Sequence, residues 1–201
     1  MSLPAELLRT VSREEINALP IRRYEGEVRL VAGAESLERA MADILQESVA
    51  GFDTETRPAF RPGESYLPAL AQVAAARAVY LFPLQHQDFG APLAQILSAE
   101  SVIKAGVGLK DDLRSLKKLI TFEEKSMVDL GTVAKRHGLG QTGVRNLAGL
   151  FLGFRIPKGI KTSNWAAPRL SAQQITYAAT DAWICRELYL RFEKLGLLAS
   201  K

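Results

Sequence analysis

One cysteine, Cys185, stands in 201 residues. It has no internal partner, so a disulfide framework is excluded and a reducing compartment is the natural setting. No run of about 18 apolar residues occurs, which excludes a membrane-spanning helix. The first twenty residues carry Glu6, Glu14 and Glu15 and no continuous apolar stretch, so no secretory leader is expected and the chain reads as cytoplasmic. Internal repeats and low-complexity tracts are missing too, which excludes solenoid and linker-like organisation. What is present is ordinary for a folded domain: 47% hydrophobic and 24% charged residues, at a length that suits one domain. The net charge of +4 permits a nucleic-acid or phosphate partner without demanding one.

The hydrophobic rhythm divides the chain near residue 25. Residues 1–25 read as an N-terminal extension, with Ser12 and Glu15 as the capping box of a short helix ended near Pro20. Residues 26–201 read as the domain proper. There, strands are expected at Val28–Ala32, Val49–Glu55, Leu70–Ala75, Ala78–Phe82 and Val102–Val107. Helices are expected at Ser36–Gln46, Pro92–Ala99, Leu109–Ile120, Leu130–His137, Val144–Leu152 and Ser171–Leu195, the last opened by a Ser171/Gln174 capping box. The alternation implies an α/β layered fold, and the adjacent short strands imply a mixed sheet.

Four segments carry chemistry. In Gly51-Phe52-Asp53-Thr54-Glu55, side chains two apart share a face of a strand, so Asp53 and Glu55 point together while Phe52 and Thr54 point away. A solvated strand end explains such a triplet alone; its place after an apolar run puts it near the middle of a sheet. In Ala105-Gly106-Val107-Gly108-Leu109-Lys110-Asp111-Asp112, glycines let a strand turn into a helix. The two aspartates suit the positive end of that helix, which is reason enough for them to be there. Leu109, Leu113, Leu116 and Ile120 define the buried stripe, which puts Asp112 beside it and rotates Asp111 toward solvent. In Tyr177-Ala178-Ala179-Thr180-Asp181 the tyrosine and aspartate share a helix face amid small residues, and an aspartate so packed needs a partner. Between Arg155 and Trp165, the groups Lys158, Lys161, Ser163, Asn164 and Trp165 offer what a phosphate backbone and a stacked base would use, though a solvated loop around one buried tryptophan fits equally.

Together, Asp53 and Glu55 in F-D-T-E, Asp112 in A-G-V-G-L-K-D-D, and Tyr177 with Asp181 in Y-A-A-T-D resemble the three motifs of the DEDD superfamily of 3′–5′ exonucleases. The tyrosine four residues before the last aspartate resembles the tyrosine branch; the histidine branch would place its base at position 176, which is Thr176. The likeness runs from about residue 27 to 195 and is to Werner-type helicase exonuclease domains and ribonuclease D catalytic domains. It implies a ribonuclease H-like fold, a central mixed, mainly parallel sheet flanked by helices. It further implies two divalent ions, Mg²⁺ or Mn²⁺, held by Asp53, Glu55, Asp112 and Asp181, with Tyr177 positioning or helping to deprotonate the attacking water. Hard carboxylate oxygens agree with those ions, and the motifs hold no Cys or His set for zinc. The implied substrate is a nucleic-acid 3′ end, single-stranded or in a recessed duplex, released as nucleoside 5′-monophosphates. DNA and RNA both remain open; the A-G-V-G segment leans toward DNA. The chain stops soon after the last motif helix and reads as a stand-alone catalytic module. A non-catalytic nucleic-acid-binding module on the same fold would be marked by loss of a carboxylate, and all four are present.

Overall fold

Alternating and helical hydrophobic periods become strands and helices in the order the pattern calls for. The computed structural model describes residues 5–61, 63–85, 89–157 and 163–198. After a single 3-10 turn at Ala5–Leu7 the elements are α1 (Arg13–Ala18), β1 (Glu27–Leu30), α2 (Ala34–Ile44), β2 (Val49–Thr56), β3 (Pro68–Ala74), β4 (Ala78–Pro83), α3 (Gly90–Ser98) and β5 (Ile103–Gly106). There follow α4 (Leu109–Leu116), β6 (Met127–Asp129), α5 (Leu130–Arg136), α6 (Val144–Leu152) and α7 (Ala172–Lys194). The six strands form one sheet in the order β1-β4-β3-β2-β5-β6. β1–β4, β2–β5 and β5–β6 pair in parallel, while β3 runs antiparallel to both its neighbours. The expected mixed, mainly parallel sheet is therefore present, with β3 the one inverted strand.

Two departures from the sequence-based expectation have simple causes. β6 has three residues, too few to show an alternation, yet its pairing with β5 from Lys104↔Met127 to Gly106↔Asp129 completes the sheet. α4 ends at Leu116 rather than Ile120 because tighter three-residue turns, Lys118 N–H to Ser115 O and Leu119 N–H to Leu116 O, take over.

Helices cover both faces. α2, α3 and α4 lay Ala40, Ile44, Leu93, Ile96, Leu109 and Leu113 against Phe52, Ala71, Val73 and Tyr80 of the strands. The other face receives α7, whose Ala178, Ala179 and Ala182 pack on Leu70, Ala74, Val79 and Leu81. α5 and α6 extend that layer through Leu130, Val133, Leu147 and Phe151. Along β2 the parity is clean: Ala50 and Phe52 enter the first core, and Val49 enters the second. Asp53 and Glu55 continue the parity of Val49 and so face α7.

Candidate active site

Three carboxylates from two elements meet where α7 crosses β2. Asp53, Glu55 and Asp181 each present an oxygen within 4.8 Å of the others. The close crossing depends on Gly51: a Cβ there would stand 1.9 Å from the carbonyl oxygen of Ala182, so any side chain would push α7 off the strand. The ladder between β2 and β3 then slips at Glu55/Thr56, a bulge of the kind that re-aims side chains at the rim of a site. α7 itself starts where expected. Ser171 Oγ accepts from Gln174 N–H at 3.2 Å, and Gln174 Oε1 accepts from Ser171 N–H at 2.9 Å.

Asp112 enters from the neighbouring helix. Gly108 adopts the left-handed conformation (φ 79°) that turns β5 into α4. The aspartate pair then divides as helical spacing requires. Asp111 has an 84% exposed side chain and pairs with Arg114 at 3.0 Å, while Asp112 turns inward and accepts a hydrogen bond from the Thr54 hydroxyl. Asp112 thus stands next to the three-carboxylate group rather than within it. Two residues that the sequence reading passed over set this position. Thr54, pointing to the Phe52 side of β2, is the hydroxyl that meets Asp112. Asp129 caps two helices at once, accepting Leu109 N–H of α4 and Thr132 N–H of α5, each at 2.9 Å. A helix-capping signal was present at Asp129, but only the fold shows that its second oxygen holds α4.

Electrostatics follow from the crowding. Burial, then the charges of Asp181, Asp112 and Glu55, hold the Asp53 carboxyl well above the usual carboxylate range. Burial raises Asp112 as well, partly offset by the Thr54 hydroxyl. Tyr177 lies one helical turn before Asp181 in the same cleft, and its hydroxyl is pushed far above the ordinary phenol value by burial and then by the Asp181 charge. It keeps its proton at neutral pH. A cluster of like charges in so little solvent is what an incoming cation relieves, and an all-oxygen donor set suits a hard divalent ion.

Of the five residues expected to contact nucleic acid, Lys158 and Lys161 lie outside the described residues. Trp165 is 2% exposed, packed in the α7 core with its ring centroid 5.9 Å from that of Tyr177. With no face open, it serves here as a support for Tyr177 and not as a stacking platform, which corrects the expectation from sequence. Asn164 is exposed; its backbone oxygen accepts from Gln174 Nε2 at 3.2 Å, tying the loop to the start of α7. Ser163 is half-buried. A cleft of about 1010 Å³ opens over Asp53, Glu55, Tyr177 and Asp181, at the top of the range for small-molecule pockets.

The chain is 33% identical over 189 residues to the bifunctional 3′-5′ exonuclease/ATP-dependent helicase WRN of Mus musculus, an alignment covering 89% of this chain and 13% of that protein. It is 30% identical over 171 residues to ribonuclease D of Gluconacetobacter diazotrophicus, covering 83% of this chain and 42% of the relative. The chain therefore spans less than half the length of either. The EXO domain of Aedes aegypti Nibbler has a similar fold, with a TM-score of 0.76 at 24% identity over 88% of this chain and 92% of that one. Residues 28–196 match a family model described as 3′-5′ exonuclease, and the chain belongs to the 3′–5′ exonucleases of the DEDD superfamily.

Proposed function

We propose that this chain hydrolyses the terminal phosphodiester bond at the 3′ end of nucleic acid, releasing one nucleoside 5′-monophosphate per cycle. The observation that supports this best is the meeting of Asp53, Glu55 and Asp181 within 4.8 Å beneath an open cleft that Tyr177 also lines. Two divalent ions, Mg²⁺ or Mn²⁺, would be held by Asp53, Glu55, Asp112 and Asp181; when bound they supply an acidified water and charge stabilisation of the attacking and leaving oxygens. Tyr177 positions the attacking water or helps to deprotonate it, and the proton the water loses is balanced by the one gained at the leaving 3′ oxygen. The water oxygen forms the new bond to phosphorus, the bond to the 3′ oxygen breaks, and the shortened strand keeps a free 3′-hydroxyl.

DNA is the first substrate to test, because of the likeness to the helicase-linked exonuclease. The ribonuclease D relative supports RNA as the second. Digestion of 3′-labelled single-stranded DNA, RNA and recessed duplexes, with Mg²⁺ or Mn²⁺ and an EDTA control, tests the reading. Stepwise loss of the label as mononucleotide, abolished by EDTA, is expected. Undiminished activity in excess EDTA, or internal cleavage, would overturn it.

A further inference from the structure

The segment before β1 lies outside the residues matched by the family model, yet it walls the site. Arg13 and Asn17 of α1 line the cleft that holds Asp53, Glu55, Tyr177 and Asp181. A second cavity of about 330 Å³ shares Tyr177 and Asp181 with the first and is lined by Arg23. Arg13 and Arg23, from one short segment, therefore line the two cavities that meet at Tyr177.

Their placement is held at several points. The Gln141 side chain clasps the backbone of Val11, accepting from its N–H at 2.9 Å and donating to its carbonyl at 3.1 Å. Ile16 is buried against α6 at Gly149, so closely that a Cβ there would lie 2.3 Å from Ile16 Cδ1. Further on, Arg155 N–H donates to Pro20 O and Arg22 N–H to Arg155 O, both at 2.9 Å. Tyr24 N–H donates at 3.0 Å to Thr180 Oγ1, the neighbour of Asp181 on α7. A segment anchored this way along its length is part of the site's rigid frame.

Neither Arg13 nor Arg23 forms an ion pair among the described residues, whereas Arg9 and Arg29 nearby in sequence both do. An arginine fork matches the phosphodiester group in charge and geometry, and contacts to phosphates set the register of a strand without reading its bases. We propose that the N-terminal segment is one wall of the substrate groove, with Arg13 and Arg23 each holding a backbone phosphate of the strand whose 3′ end lies at the carboxylates. This rests on the exonuclease reading above and extends it to residues that carry none of the family's motifs.

The test is binding of a fluorescein-labelled single-stranded oligonucleotide to the full chain in EDTA, read by polarisation across a salt series. Each contact contributes about 0.7 to the slope of log affinity against log salt, hence about fivefold in affinity between 1 M and 0.1 M salt. Arg13→Ala and Arg23→Ala should each lower the slope by about that amount, and the double variant by about twice as much. Arg39→Ala, in a surface pair with Glu35 on the opposite face, should leave it unchanged. Should an alanine variant lower the melting temperature, Arg13→Lys and Arg23→Lys, which keep the charge, must recover the slope. An unchanged slope in the double alanine variant, or no recovery with lysine, overturns the proposal. Hydrolysis of the p-nitrophenyl ester of thymidine 5′-monophosphate by the unaltered protein with Mn²⁺ reports separately on the exonuclease reading, since that substrate has no upstream phosphate.

Discussion

Replacing Asp53 by Asn removes one negative charge from a group whose oxygens lie within 4.8 Å of one another. At that separation two unit charges repel by about 3.5 kcal/mol at an effective dielectric constant near 20, and by about 1 kcal/mol in bulk water. Asp53 takes part in two of the three repulsions, and burial adds to the cost of its charge. Protonation of one carboxyl already relieves part of this, so the ion-free variant should be more stable than the wild type by about 1–3 kcal/mol. For a chain of this size each kcal/mol is worth about 2–4 °C in melting temperature. The pH dependence has a definite sign. The folded-state pKa of Asp53 lies above its ordinary value of 3.8, so its contribution is complete below that value and is lost as pH rises through the folded one. The advantage of Asp53→Asn in EDTA should accordingly grow as pH rises above 3.8. Saturating Mg²⁺ or Mn²⁺ should invert the order, since ion binding stabilises the wild type by mass action and the variant has lost a ligand. Differential scanning calorimetry with EDTA and with either ion decides it. A variant less stable than the wild type in EDTA at pH 8 would refute the reasoning, because it would mean that Asp53 is satisfied by the fold alone.

Four further outcomes are expected. Asp112→Asn should nearly abolish turnover while Asp111→Asn, exposed and paired with Arg114, keeps it and shifts the melting temperature by less than about 2 °C; comparing the two purified variants settles which aspartate serves the site. Tyr177→Phe should lower turnover by roughly 10²–10⁴-fold and retain the Mg²⁺-induced rise in melting temperature, and a near-normal rate would make Tyr177 a packing residue. Gly51→Ala should destabilise by about 1–3 kcal/mol or more and weaken the ion-induced stabilisation, because its Cβ would collide with Ala182 O and lift Asp181 away; an undisturbed enzyme would show that α7 can shift freely. Lys104, wholly buried in β5, has its pKa lowered to about 8 by burial, so the fold should gain stability as pH rises from about 8 to 10.5 and Lys104→Met should lack that gain in denaturation titrations.

Local rules sufficed wherever a side chain's neighbours are close in sequence. The Ser12/Glu15 and Ser171/Gln174 capping boxes, the shared face of Asp53 and Glu55, and the opposite turns of Asp111 and Asp112 all follow from spacing along one strand or one helix. The order of strands and helices was legible for the same reason, since a period of two or of 3.6 is written in the residues themselves. A mixed sheet was legible from the two tightly joined short strands, but the three-residue β6 and the stopping point of α4 were not, because pairing partners and tight turns lie beyond any local period.

By itself the sequence determined the family and the order of the elements other than β6. Only the tertiary structure decided how the acidic residues stand to one another. It set the three-carboxylate group apart from Asp112 by tying Asp112 to Thr54, a contact 58 residues apart in the chain. It buried Trp165 behind Tyr177, because an indole beside Ala178 and Leu70 lowers its free energy by leaving water. It also brought the segment around Arg13 and Arg23 to the edge of the cleft through bonds to Gln141, Arg155 and Thr180, more than a hundred residues away. Hydrogen bonds and close packing between distant segments depend on the whole chain's path, and no window of sequence contains both partners.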